Sequence, residues 1–193
     1  MKIIGITGRS GSGKSTFASL LAKEFNCKYI DIDKLGHDAT LDPSILNELC
    51  KTFGKEILDK NNNLDRKKLG SIVFSQKKEM DKLTNLTWNY MQSQIDKILL
   101  DEDDFIILEW ILLPKSKYWK ICDYKILLFS NDIKRKEIVL KRDNISENYF
   151  EKRDSASFDY SSLEFDYIIK NDYTNQTLYE KVSQIKNSIK FKK

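Results

Sequence analysis

An α/β fold in three layers, a parallel β-sheet between two sets of helices, is predicted by three features of this sequence. Short apolar runs alternate along the chain with longer segments of helical periodicity, the pattern of strands joined by crossover helices. The first run, Ile3-Ile4-Gly5-Ile6-Thr7, passes directly into the glycine-rich turn Gly8-Arg9-Ser10-Gly11-Ser12-Gly13-Lys14-Ser15-Thr16 and then into a helix. Two further runs end in carboxylates, Asp31 and Asp33 after Tyr29-Ile30 and Glu109 after Phe105 to Leu108. In an open α/β sheet, ligands bind at that C-terminal edge.

A chain of 193 residues can build one core with a helical insertion. The net charge of +4, from 33 basic and 29 acidic residues, is interspersed along the chain, so no nucleic-acid partner is expected. Cys27, Cys50 and Cys122 form no C-x-x-C pair and accompany a single histidine, which points to reduced thiols and away from structural zinc. The first apolar run is too short for a signal peptide, and no later run reaches the length of a membrane span. A soluble cytoplasmic protein without a membrane partner is therefore expected.

Gly8, Gly13, Lys14 and Ser15 satisfy G-x-x-x-x-G-K-[ST] in the strand-to-helix context that the motif requires, which makes the sheet one of P-loop NTPase type. Glycines at Gly11 and Gly13 let successive backbone N–H groups turn inward on one anion. The following helix adds its orphan N–H groups and dipole. A nucleotide phosphate is expected at Gly8, Gly11, Ser12, Gly13, Lys14, Ser15 and Thr16, with Lys14 on the β/γ-phosphates and the Ser15 hydroxyl on Mg²⁺.

Phe17, Leu20, Leu21 and Phe25 recur at helical spacing and carry this helix to about Phe25. Tyr29 to Asp33 reads as a strand with Asp31 and Asp33 on one face. One of them could be a base or a Mg²⁺ partner through water, or both could simply solvate a strand end. Asp42-Pro43 starts a helix with Ile45, Leu46, Leu49 and Phe53 inward, and Gly54 stops it. After the polar turn at Lys60 to Asn63, Leu64-Asp65-Arg66 opens a helix with Leu69, Ile72 and Val73 inward. Met80, Leu83, Leu86, Tyr90, Ile95 and Ile98 then mark a long helix to about Leu100. Residues from about 55 to 100 thus form a helical insertion suited to a second substrate, where Arg66 at a helix start can reach an anion.

Asp101 to Asp104 is a solvated acidic link, and Phe105 to Leu108 is a buried parallel strand. Glu109 at its tip could hold a Mg²⁺-bound water or be only a charged strand end. Tyr124 to Phe129 is the next strand. Asn131 or Asp132 caps a helix with Ile133, Ile138, Val139 and Leu140 that delivers Lys141-Arg142, and a short helix from Ser146 brings Arg153. These two helices read as a lid, about 141–162. Phe165 to Ile169 is the last strand, and Leu178, Val182, Ile185 and Ile189 mark the last helix, with Lys190 to Lys193 frayed. The chain is read as one domain, its core being residues 1–54, 101–140 and 163–193.

These pieces together resemble the dephospho-coenzyme A kinase family over nearly the whole chain. The resemblance rests on the phosphate loop, Asp31-Ile32-Asp33, Phe53 to Leu58 followed by Asn63-Leu64-Asp65-Arg66, Leu69 to Phe74 before the long helix, Lys141-Arg142-Asp143 with Arg153, and Phe165 to Asn171. It implies the nucleoside monophosphate kinase-like form of the fold, and transfer of the γ-phosphoryl of ATP, with Mg²⁺, to the ribose 3′-hydroxyl of dephospho-CoA. It also implies that Asp33 is the base, that Lys14 and Arg142 stabilise the transferring group, and that Asn171 lies near the adenine. Asp31, Arg66 and Arg153 would bind substrate. A monomer or weak homo-oligomer is expected.

Trp88-Asn89 stands where the family commonly has His-Pro, Lys115 where it has glutamate, Glu137 where an arginine is usual, and Ala156-Ser157 where a glutamine is usual. These departures leave open a related P-loop kinase with another acceptor, or an ATP- or CoA-binding paralogue without turnover. The absence of an N-K-x-D sequence argues against a GTPase.

Overall fold

The computed structural model describes residues 1–73, 76–101, 103–155 and 157–191. Phe74, Glu102, Ala156 and the terminal Lys192-Lys193, all named above, lie outside the described residues. In chain order the elements are β1 (Lys2–Thr7), α1 (Lys14–Phe25), β2 (Lys28–Asp31), α2 (Ile32–Ala39), α3 (Pro43–Phe53), α4 (Arg66–Val73), α5 (Lys77–Ile98) and β3 (Phe105–Glu109). There follow β4 (Tyr124–Ser130), α6 (Asp132–Asp143), α7 (Glu147–Ser155), β5 (Tyr167–Asn171) and α8 (Asn175–Phe191). The chain divides into two compact units, Met1–Asp31 with Glu102–Lys193, and Ile32–Asp101.

The first unit is built on a five-stranded sheet in the order β2-β3-β1-β4-β5, every pairing parallel. Ile106, Ile107 and Leu108 are all fully buried, as a strand covered on both faces requires. Ile4 and Ile6 of β1 face the core formed with Phe17 and Leu21 of α1 and with Leu178 and Val182 of α8. Because side chains alternate along a strand, Gly5 faces the opposite side, where Leu113, Trp119 and Cys122 lie within contact of its α-carbon substituent position. Ile6 pairs in register with Glu109, Asp31 with Glu109, and Ser130 with Asn171, so the polar strand ends gather along one edge.

The second unit has its own apolar centre, Leu49, Phe53, Ile57, Leu69 and Val73, flanked by Ile45, Met80, Leu83 and Leu86. The expected α3 start is observed: Asp42 Oδ1 accepts from the backbone N–H of Ser44 at 2.9 Å, Pro43 is the first helical residue, and Gly54 at φ 87° ends the helix. No helix among the described residues is long and apolar enough to cross a membrane.

Three local expectations are corrected, and the fold sets which face of α6 is buried. The strand read over Tyr29 to Asp33 ends at Asp31, and Ile32 opens α2, so Asp33 lies in a first helical turn and shares no strand face with Asp31. A carboxylate in that turn complements the helix dipole. The helical unit begins at Ile32 instead of near residue 55, because α2, α3 and α4 all pack against α5. On α6, Ile133 and Ile138 are exposed, and Arg135 and Val139 form the buried face. The last strand is Tyr167–Asn171, two residues later than read, since Phe165 packs edge-on against Trp119.

Replacing Asp42 by Ala removes the α3 cap and should lower stability by about 1 kcal/mol, the usual size of such a loss. A chemical-denaturation midpoint equal to wild type would show that the cap contributes nothing.

Candidate active site

Gly8, Gly11 and Gly13 adopt positive φ (148°, 81° and 93°), which allows the chain between β1 and α1 to curl back on itself. A Cβ on Gly13 would overlap the Asn171 amide, so close approach as well as dihedral freedom selects glycine there. The turn is closed by the Ser12 N–H donating to the Arg9 carbonyl at 3.1 Å, and Lys14 Nζ donates to the same carbonyl at 3.4 Å. Ser12 Oγ is buried and has no hydrogen-bond partner among the described residues. A hydroxyl so placed in a loop of this geometry suits an anionic oxygen.

Glu109 is the acid of the site. Only 2 % exposed at the tip of β3, it accepts from Ser15 Oγ at 2.9 Å and from the Tyr29 hydroxyl at 3.1 Å, both on Oε2. Its other oxygen lies 3.6 Å from Lys14 Nζ, itself 7 % exposed, so each buried charge has its counter-charge. Burial and the neighbouring Glu109 carboxylate push the Tyr29 phenol well up, which keeps it a donor. The Ser15 hydroxyl and the Glu109 carboxylate are hard oxygen donors side by side, a set that suits Mg²⁺. Both sequence readings of Glu109 place it at the strand tip, where it is found.

The helical hairpin of α6 and α7 lies over the loop. Asn131 caps α6 through its Oδ1, and Lys136 pairs with both Glu147 and Glu151 of α7. Arg142 Nη2 and Arg153 Nη2 both donate to Ser10 Oγ, at 3.1 and 2.9 Å. Asp143 holds the same two guanidinium groups, at 2.7 Å from Arg142 Nε and 3.0 Å from Arg153 Nη2. Hydrogen bonding from Arg142, followed by that from Arg153, keeps the Asp143 carboxyl below the usual carboxylate range. The two arginines singled out in the sequence are therefore brought together at the loop.

Arg135 was not singled out, yet it organises the hairpin. It is 2 % exposed, and it forks onto Asp154 with Nη1–Oδ1 at 2.7 Å and Nη2–Oδ2 at 2.8 Å. Its Nε and Nη2 donate to Asp132, and Nη1 reaches the Ser10 carbonyl at 3.3 Å. One side chain thus ties the start of α6, the end of α7 and the phosphate loop. Burial opposes the Arg135 charge, but the bonds to Asp154 and Asp132 more than offset it and raise its pKa. The Arg135 bonds, with Arg9 at 3.4 Å adding its charge, hold the Asp154 carboxyl low.

Asn171 is buried at the end of β5. Its Nδ2 donates to the Ser12 carbonyl at 3.0 Å and its Oδ1 accepts the Tyr173 N–H at 2.8 Å, so its amide is engaged with the loop and the following turn. Asp31 ends β2 beside Glu109. Lys115 sets its ammonium 5.4 Å from the Phe158 ring centre, and Glu137 stands exposed on α6.

In the second unit Asp33 is exposed in the first turn of α2, and Trp88 is half-buried on α5. Arg66 starts α4 and is paired with His37, Nη1 to Nδ1 at 2.8 Å and Nη2 to the His37 carbonyl at 3.2 Å. Arginine only donates, so Nδ1 of His37 is the acceptor and its proton sits on Nε2 when neutral. His37 escaped the sequence reading because a lone histidine on a polar helix has no local signature.

Comparison with known proteins follows the same line. The family model for dephospho-CoA kinase matches residues 2–176. A dephospho-CoA kinase from Aquifex aeolicus is 36 % identical over 190 residues, covering 96 % of both chains. Among solved structures, TT1252 from Thermus thermophilus superposes with a TM-score of 0.80 at 24 % identity over 97 % of both chains, a likeness of fold. A dephospho-CoA kinase from Campylobacter jejuni superposes with a TM-score of 0.66 at 25 % identity, again over 97 % of both.

The hairpin pairing carries a pH signature. A carboxyl whose folded pKa is depressed contributes stability that is complete above its unfolded value, near 4, and is lost as pH falls through the folded value. Asp154→Asn should lower the melting temperature at neutral pH, on a scale of about 2–4 °C per kcal/mol for a chain of this size. The gap from wild type should narrow progressively as the pH is taken below about 4. A gap that stays constant down the acid range would assign the loss to something other than the ion pair.

Proposed function

The chain belongs to the dephospho-CoA kinase family, and we propose that its phosphate loop, lid arginines and Asp33 perform the reaction as follows. The enzyme phosphorylates dephospho-CoA with ATP to give CoA and ADP, the acceptor being the ribose 3′-hydroxyl. The observation that supports the residue assignment best is the convergence of Arg142 and Arg153 on Ser10 of the loop.

The loop N–H groups between Gly8 and Thr16, apart from that of Ser12 on the Arg9 carbonyl, bind the ATP phosphates with the α1 dipole and Lys14, and Ser12 Oγ adds a donor with no hydrogen-bond partner among the described residues. Ser15 and Glu109 would hold Mg²⁺, which when bound neutralises charge developing on the β- and γ-phosphate oxygens. Arg142 and Arg153 exchange Ser10 Oγ for oxygens of the transferring group, and Asp143 keeps both guanidiniums oriented as they do so. Asp33, two residues beyond the β2 tip, takes the proton from the 3′-hydroxyl. The 3′ oxygen forms its bond to the γ-phosphorus as the bond from that phosphorus to the β,γ-bridging oxygen breaks, and ADP leaves. Catalysis here is placement and charge stabilisation, as phosphoryl transfer requires. Arg66, oriented by His37, and Asp31 serve the acceptor, and Asn171 serves the nucleotide through the loop carbonyl that it holds.

A coupled assay of ADP release with dephospho-CoA, adenosine and pantothenate as acceptors tests the function; release is expected with dephospho-CoA, and release only with another acceptor would overturn it. Asp33→Asn should lower kcat by about 10²–10⁴-fold, the usual contribution of a general base, with the KM for ATP nearly unchanged. Wild-type kcat in that variant would remove Asp33 from the mechanism.

A further inference from the structure

Tyr173 stands in the turn between β5 and α8 with φ 68°, a left-handed conformation that a bulky side chain rarely adopts. Such strain persists only where surrounding contacts over-determine it. Here the Tyr173 N–H donates to Asn171 Oδ1 at 2.8 Å, and its hydroxyl donates to the Gly11 carbonyl at 3.0 Å. A phenol has one proton, and a carbonyl can only accept it, so the Ser130 hydroxyl 2.7 Å away must donate to the tyrosine oxygen.

These bonds meet the phosphate loop at its turning point. In a trans peptide the C=O and the next N–H point oppositely, and the described chain has no cis bonds. Holding the Gly11 carbonyl outward therefore fixes the Ser12 N–H inward, where it donates to the Arg9 carbonyl, the same oxygen on which Lys14 Nζ rests. Asn171 does the equivalent for the next peptide through the Ser12 carbonyl. One short segment thus secures two successive loop peptides, and the strained residue is the one that reaches the first of them.

We propose that Tyr173 is a positioning residue for the donor nucleotide: its hydroxyl sets the Gly11–Ser12 peptide, and through it the shape of the phosphate loop and the seat of Lys14. The proposal rests on the reading of Gly8 to Thr16 as the ATP phosphate site. A tyrosine that merely completed the β5–α8 turn would be replaceable by glycine, which adopts φ 68° freely.

The test compares wild type, Tyr173→Phe and Tyr173→Gly by calorimetric titration with MgADP and by steady-state kinetics in both substrates. Loss of one hydrogen bond to the loop should weaken MgADP about five-fold in both variants. The KM for ATP should rise with it, and the KM for dephospho-CoA should stay near wild type. Wild-type MgADP affinity in Tyr173→Phe would overturn the proposal, as would equal weakening toward both substrates. Full affinity in Tyr173→Gly would reduce the residue to a turn former and overturn it too. A wild-type protein that bound MgADP without phosphorylating dephospho-CoA would sink the functional reading alone, and the MgADP series would still decide the role of Tyr173.

Discussion

A backbone loop that turns its N–H groups toward one anion must send the opposing carbonyls somewhere, and must gather cations that repel one another. Much of the first unit answers those two demands. The carbonyls of Gly11 and Ser12 go to Tyr173 and Asn171, and that of Arg9 accepts from Lys14. Each cation has a carboxylate partner: Lys14 has Glu109, Arg142 and Arg153 share Asp143, and Arg9 and Arg135 share Asp154. Buried or half-buried charge is tolerable only when paired in this manner. The strand order follows from the same need, since it brings Asp31, Glu109, Ser130 and Asn171 to the edge where the loop emerges.

The balance is also selective. Asp143 adjoins Arg142 in sequence, whereas Asp154 reaches Arg135 and Arg9 only through the fold, and the two carboxylates hold different groups. Asp143 holds two exposed groups that retain a second partner in Ser10 Oγ and can exchange it. Asp154 is forked onto a buried guanidinium whose bonds run to Asp132, to Asp154 and to the Ser10 carbonyl. Arg142 and Arg153 stay exposed beside the loop, and the buried Arg135 ties the hairpin to it.

What was legible in the sequence was local in origin. The phosphate loop, the Asp42-Pro43 cap, the buried β3 and the hairpin that delivers Arg142 and Arg153 each depend on residues within a few positions of one another. What escaped depends on distant partners. Arg135 lies in a helix dense with lysine and arginine, and only the fold brings Asp154 to it. Tyr173 gives no sign in one dimension that it reaches Gly11. The α2 boundary failed for another reason: Tyr29-Ile30-Asp31-Ile32-Asp33 alternates like a strand, and helix formation at Ile32 is a tertiary outcome. The departures at Lys115 and Glu137 lose some of their weight once seen in place, because Lys115 rests on Phe158 and Glu137 on solvent, with the buried basic position two residues away at Arg135.

The pairing of β1 with β3 and β4 has a bearing on the order of assembly. Lys2 lies opposite Phe105 and Ile4 opposite Tyr124, so β1 is synthesised about a hundred residues before either strand beside it. Over that interval the Ile32–Asp101 segment, with an apolar centre of its own, has already been made. Contacts of such sequence separation close late, and domains gather as units while the chain emerges. The phosphate loop therefore leaves the ribosome well before the strands that flank β1 exist to hold it. The segment that carries the most chemistry is thus the one that waits longest for its neighbours in the sheet.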